Sequence, residues 1–191
     1  MCMSDLTFVT GNSLKYRNAS ESFLRAGIHL VKLELDIPEI QAEDAAEIAR
    51  AKSQAAYDIL QSAVLVNDDS WKLLGLKGFP GAYMKSMNHW FSVEDWAHLT
   101  EPLTDRRVIL SQIVVFQSAT QQKVFTNEVH GELLKAPKGK SDVSAQSIIT
   151  MDGDNGKSIA EVLTENPQHY FDRQISKVWD EVAAWYMDQT P

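Results

Sequence analysis

The sequence predicts an α/β protein, and three observations point to it. Leu6-Thr7-Phe8-Val9 is a β-rich run that gives way to the turn and cap residues Thr10-Gly11-Asn12-Ser13 and then to helical spacing, which reads as strand, tight loop, helix. Ala63-Val64-Leu65-Val66 is a continuous apolar run, the mark of a strand buried on both faces. Two further strand patterns, 108–116 and 123–134, lie close enough to pair as a hairpin across 117–122.

The first helix is expected over 13–26, with Tyr16, Ala19 and Phe23 on one face and Gly27 where a left-handed stop is wanted. A second strand fits 29–35. Asp36-Ile37-Pro38-Glu39-Ile40-Gln41 is extended, because a residue before proline is pushed out of the helical region. Asp44, with Glu47 three residues on, starts a long helix whose inner stripe is Ile48, Ala51, Ala55, Ile59 and Leu60, with Lys52 beside it. The apolar run at 63–66 is expected to end abruptly in Asn67-Asp68-Asp69-Ser70. Gly75, Gly78, Pro80 and Gly81 then punctuate a loop, and 83–99 reads as one helix with Met84, Met87, Trp90 and Phe91 as its apolar content. From 136 to 157 the chain turns polar and glycine-punctuated, with 147–151 as its one plausible strand. Ile175, Val178, Trp179, Val182, Trp185 and Tyr186 give the last helix a wide apolar face.

Composition narrows the function. With 191 residues, 44% hydrophobic and 23% charged, the chain is a globular protein that removes roughly 70% of its unfolded surface from water on folding. Its 18 Lys and Arg against 26 Asp and Glu leave a net charge of -8, which argues against a general grip on nucleic acid but leaves room for a local phosphate site. A single cysteine, Cys2, excludes an internal disulfide and a Cys-based zinc site and points to a reducing compartment. No signal-like start and no run of ~20 apolar residues is present, so the expected setting is cytoplasmic, away from membranes.

The chemistry collects in the first half. A glycine-containing turn that opens a helix offers backbone N–H groups and the positive end of the helix dipole to phosphate, and Lys15 on the first turn adds a mobile cation. The plainer alternative is that Asn12 caps a surface helix with Lys15 in solvent. Glu39 and Asp68, at strand edges, are hard oxygen donors of the kind that hold Mg2+ beside phosphates; equally, Asp68 and Asp69 could be a strand-ending turn and Glu39 a surface charge. Lys52 could snorkel from the edge of its helix.

Thr10-Gly11-Asn12-Ser13-Leu14-Lys15, Asp36-Ile37-Pro38-Glu39-Ile40-Gln41, Lys52, Val66-Asn67-Asp68-Asp69 and Gly78-Phe79-Pro80-Gly81-Ala82-Tyr83 resemble, in order and spacing, the inosine triphosphate pyrophosphatase family of house-cleaning nucleotide hydrolases. The resemblance covers most of the chain. It implies one domain over 1–191, with a long central mixed sheet flanked by helices and two lobes with a cleft between them. It also implies a homodimer that cleaves a nucleoside triphosphate to the monophosphate and pyrophosphate with Mg2+. Carried over by position, Thr10, Gly11, Asn12, Lys15 and Lys52 would hold the triphosphate and Glu39 and Asp68 the metal, with Asp68 as the catalytic base for water.

Two regions depart from the family pattern. Asn67 stands where the motif has an acidic residue and Asp69 where it has a small hydroxyl; Asp69 is an extra carboxylate at the substrate, able to strengthen metal binding or to share the role of Asp68. The segments that recognise a deaminated purine are replaced by Val143-Ser144-Ala145-Gln146 and Phe171-Asp172-Arg173, of which only Arg173 survives as a substrate contact. Asp152-Gly153 and Ala160-Glu161 still echo the family. Lost hydrogen-bonding groups argue against simple inosine or xanthosine selectivity, so an altered base choice is expected. The other reading of these departures is a catalytically silent nucleotide-binding or regulatory module on the same fold.

Three other patterns lead elsewhere. Gly156-Lys157-Ser158 ends a P-loop-like stretch that lacks its first glycine, where Met151 stands. The five histidines show no metal-pair spacing and read as structural or exposed. The tryptophans of the last helix, and Trp90 with Trp96, read as packing.

Overall fold

The computed structural model describes residues 5–172 and 177–189. Its strands are β1 (Asp5–Val9), β2 (His29–Leu33), β3 (Val64–Leu73), β4 (Pro80–Gly81), β5 (Arg107–Gln117), β6 (Gln122–Leu133) and β7 (Ile149–Met151). The helices are α1 (Ser13–Arg25), α2 (Ala45–Leu60), α3 (Met84–Trp90), α4 (Val93–Thr100), α5 (Ile159–Glu165), α6 (Pro167–Asp172) and α7 (Lys177–Gln189). The strands form one seven-stranded mixed sheet in the order β2-β1-β3-β5-β6-β7, with β4 on β3. β1 runs parallel to β2 and β3, as crossovers through α1 and α2 require, whereas β4 and β7 pair antiparallel with β3 and β6.

The described residues fall into two compact units, one drawn from 1–68, 112–127 and 174–191, the other from 69–111 and 128–173. In the first, Leu6 and Phe8 of β1, Leu30 of β2, Leu65 of β3, and Val114 and Phe116 of β5 share a core with Ala19 and Phe23 of α1 and with Val178, Trp179, Val182 and Ala183 of α7. Phe8 meets Trp179 with ring centroids 5.0 Å apart, inside the range of favourable tilted pairs. In the second, Trp96 is fully buried and donates from Nε1 to Ser144 Oγ at 3.1 Å, which satisfies the one polar atom of its ring. Arg106 holds the carbonyls of Thr100, Leu133 and Leu134 together.

Several expectations are corrected. β3 does not stop at Val66 but runs to Leu73, so Asn67, Asp68, Asp69 and Ser70 lie inside a strand, after its last pairing with β1 at Val66 and before its pairing with β4 at Trp71, neighbours that local composition does not reveal. The helix expected over 83–99 breaks at Phe91 and Ser92, where Ser92 and Asp95 form a capping box that restarts it as α4. β2 ends at Leu33, two residues early. On α2 the buried stripe is Ala45, Ile48, Ala49, Ser53 and Ala56, and Ile59 is 57% exposed, because the helix presents a face rotated from the one its larger side chains mark. The polar stretch yields only the short β7, preceded by a 3-10 turn at Ser144–Ser147, and α5 and α6 follow without having been expected. Trp90 is 69% exposed on α3, against the expectation of packing. Ile175 lies outside the described residues.

Candidate active site

β1 and β2 end at one level, and β3 runs past it. Val9 is in register with Leu33 of β2 on one side and with Val66 of β3 on the other. The loop 10–15 and the segment 34–41 therefore leave the carboxyl ends of adjacent parallel strands, where open α/β sheets bind ligands, and Asn67-Asp68 follow directly after the last β3 residue in register with β1. All these residues belong to the first unit.

The loop is shaped by its own side chains. Thr10 N donates to Leu33 O at 2.9 Å, which ties the loop to β2. Thr10 Oγ1 accepts from Asn12 N at 3.1 Å, and Asn12 Oδ1 accepts from Leu14 N at 2.9 Å and Lys15 N at 3.1 Å. Asn12 is thus the N-cap of α1, in extended conformation at φ -87°. Three of the amides that phosphate could use are engaged, while the helix dipole still points outward from a first turn that carries no acid. The lack of a side chain at Gly11 admits Glu34, whose Oε1 would lie 2.9 Å from a Cβ built there. Lys32 Nζ donates to Ser13 Oγ at 3.2 Å. Neither Glu34 nor Lys32 stands out in the sequence; both are placed at the loop by the pairing of β2 with β1.

Glu39 and Lys52, thirteen residues apart, meet: Lys52 Nζ donates to Glu39 Oε1 at 2.5 Å. The lysine side chain is only 19% exposed and the glutamate 46%, so α2 presents a mostly covered ammonium to the segment after β2. On β3, Asp68 and Asp69 are both partly buried, and strand alternation sends them to opposite faces. Asp69 belongs to the second unit, where its charge adds to burial in pushing the Tyr170 phenol well above the ordinary tyrosine range, burial being the larger cause. Asn67 is buried, and its Nδ2 donates to Ile113 O at 2.9 Å. Arg173 lies outside the described residues.

Among the described residues, no group of three or more His, Cys, Asp or Glu side chains could hold a metal ion. The acidic side chains at this strand edge are carboxylates without histidine or thiol company, which suits a hard cation. Mg2+ is commonly held by one or two carboxylates plus substrate phosphates, so this donor set fits an ion that arrives with its phosphate.

The segment 143–146 is built into the second unit. Ser144 is buried, accepts from Trp96 and donates to Asn88 Oδ1 at 3.2 Å; the same oxygen accepts from Ala145 N at 3.0 Å. Gln146 Oε1 accepts from Ser141 Oγ at 2.6 Å. Asn88 and Trp96, on α3 and α4, carry no sequence signal for this role. In the rival P-loop stretch, Ser158 caps α5 in a capping box with Glu161 and Lys157 pairs with Glu165, so both side chains have structural partners.

The fold defines a mixed α/β class, and comparison gives the family. The Ham1 family model matches residues 6–175, and the chain belongs to the Ham1 family. A dITP/XTP pyrophosphatase of Methanopyrus kandleri is 27% identical over 180 residues, covering 94% of both chains. Inosine triphosphate pyrophosphatase 2 of Trypanosoma cruzi is 29% identical over 161 residues, 84% of this chain and 82% of that one. Among solved structures, a HAM1 protein from Coxiella burnetii superposes with a TM-score of 0.80 at 15% identity, covering 97% of this chain and all of that one. The resemblance read from the motifs and the mixed α/β fold both hold.

Proposed function

We propose that the protein hydrolyses a nucleoside triphosphate to the monophosphate and pyrophosphate, with Mg2+, as a nucleotide-pool house-cleaning enzyme of altered base specificity. The observation that supports this reading is the register of β1 with β2 and β3, from which the loop 10–15, the segment that carries Glu39 and the residue pair Asn67-Asp68 all follow at one level, in a chain whose relatives are named pyrophosphatases. Thr10, Gly11, Asn12 and Lys15 form a loop that receives phosphate at the positive end of α1, and the Lys52 ammonium turns from Glu39 to the phosphate chain. Glu39 and Asp68 would hold Mg2+, which supplies neutralisation of phosphate charge when bound. Asp68 orients water and accepts its proton as the α–β anhydride is cleaved, with the bridging oxygen leaving in pyrophosphate. The resemblance also assigns Asp69 and Arg173 to the substrate, but Asp69 leaves β3 on the face opposite Asp68, so in this proposal Asp68 alone is the base.

Homodimerisation and a cytoplasmic setting belong to the same proposal. No helix among the described residues is long and apolar enough to cross a membrane, and the net charge of -8 disfavours nucleic acid as a partner. The burial of Ser144 and Ala145 against Asn88 and Trp96 favours altered base choice, since groups committed to the fold are not offered to a base edge. It also gives the silent nucleotide-binding module its one supporting observation.

Mg2+-dependent pyrophosphate release across canonical, deaminated and modified nucleoside triphosphates, with Asp68→Asn as control, tests the proposal. Multiple-turnover release is expected, and Asp68→Asn is expected to abolish it, leaving only the slow residual release that a single turnover reads. Saturable nucleotide binding without turnover at any metal concentration would transfer the assignment to the silent module.

A further inference from the structure

We propose that Asn67 is a positioning residue that sets the direction of Asp68 through its side-chain amide. The proposal rests on the role of Asp68 given above. Asn67 is 6% exposed and sits inside β3 directly before Asp68. Its Nδ2 donates to Ile113 O on the neighbouring strand β5 at 2.9 Å and lies 3.3 Å from the carbonyl oxygen of Asp68 itself. One amide group therefore ties the peptide that follows Asp68 to the adjacent strand. A buried polar side chain with two carbonyl acceptors is held far more firmly than an exposed one, because leaving any of the three groups unpaired costs desolvation without return.

The chemistry requires an amide. Both contacts are to carbonyl oxygens, so the side chain must donate, and the ionised acid found here in the family motif would place negative charge against two acceptors. Asparagine is the residue of the same shape that supplies a donor. Its neighbour toward the N-terminus, Val66, is fully buried and in register with Val9, so the strand is fixed just before the amide and the amide fixes it just after. The direction of the Asp68 side chain leaving β3 is then set by two anchors rather than by a strand end.

The test measures steady-state pyrophosphate release by Asn67→Ala and Asn67→Asp, with thermal unfolding of each, and single-turnover release by Asn67→Ala in an Asp68→Asn background. Asn67→Ala is expected to lower kcat about 10- to 100-fold, the scale of a misplaced catalytic group, with KM for the triphosphate changed less than about twofold. In the Asp68→Asn background the same substitution is expected to cause no further loss, since a residue that acts through Asp68 has nothing left to position. Asn67→Asp keeps the shape but cannot donate when ionised, and at about pH 8 it is expected to lose at least as much kcat. An equal loss from Asn67→Ala in both backgrounds would overturn the role, as would an effect confined to KM or to the folded fraction. Wild-type kcat in Asn67→Asp at about pH 8 would overturn it even if the alanine variant does not fold. Absence of release from the wild type itself would overturn the proposed function, and this role with it, and is told apart from those outcomes by the wild-type measurement alone.

Discussion

Glu39 and Lys52 show how one contact carries two separable meanings. Their 2.5 Å pair joins a half-exposed acid to a mostly covered lysine, and ion pairs of this kind contribute on the order of 0–1 kcal/mol. Glu39→Gln is therefore expected to shift the thermal midpoint by no more than about 4 °C while sharply reducing Mg2+-dependent release. Thermal unfolding and a Mg2+ titration of turnover check the two parts; an unchanged Mg2+ dependence would remove Glu39 from the metal role. Acid titration separates another pair of residues in the second unit. The Arg107 guanidinium beside Asp105 holds that carboxyl at about 2, below the ordinary 3.8. A depressed acid contributes stability that is complete above about pH 4 and is lost as pH falls toward 2. Asp105→Asn is expected to lower stability by a constant amount above about pH 4, neutral pH included, and to flatten the acid dependence of unfolding between about pH 4 and 2, measured by denaturant unfolding at a series of pH values. The candidate residues were legible one by one, because Thr10, Asn12, Lys15, Glu39 and Asp68 fall in motifs of recognisable spacing. Glu34 and Asn88 were not, since their roles come from the residues that pairing and packing set beside them.

At the scale of elements, capping signals proved readable and strand ends did not. Asn12 and Asp44 begin α1 and α2 where the sequence places them, each with its side chain accepting from the first-turn amides. Asn12→Ala is expected to cost about 1 kcal/mol, and to lower the melting temperature by about 2–4 °C. Because the same side chain shapes the loop proposed to hold phosphate, its loss is also expected to raise KM for the triphosphate, a steady-state measurement that a cap without a ligand role would leave unmoved. Ser92-Val93-Glu94-Asp95 carried the signal that splits 83–99 into two helices, but the apolar periodicity on either side outweighed it in reading. β3 outran its expected end because the chain continues beside β5 and pairs with β4 from Trp71, so polar residues are carried in a strand by neighbours that are not encoded locally.

The whole molecule is interleaved. Neither unit is one continuous stretch of chain, and β3, β5 and β6 each contribute residues to both, changing unit at Asp68/Asp69, Ser111/Gln112 and Asn127/Glu128. Continuous strands shared in this way predict that both units unfold in a single transition, seen as coincident far-ultraviolet and tryptophan-fluorescence curves. Trp179 is 1% exposed and packs on Phe8 within the core that joins α1, α7 and the sheet, so Trp179→Ala is expected to destabilise the protein by about 3–5 kcal/mol, read by urea unfolding.

By itself the sequence determined the α/β class, the first three strand and helix starts, and the motifs from which the residues proposed to meet phosphate and a hard cation are drawn. These rest on local facts: apolar period, capping chemistry and motif spacing. Tertiary structure alone decided that Glu39 meets Lys52, that Asp68 and Asp69 sit inside a strand and divide between its faces, that Ser144 is consumed by Trp96 and Asn88, and that Asn67 binds across to β5. Each of these is a contact between segments far apart in the chain, and its energy depends on strand register and helix packing, quantities that no short window of residues contains.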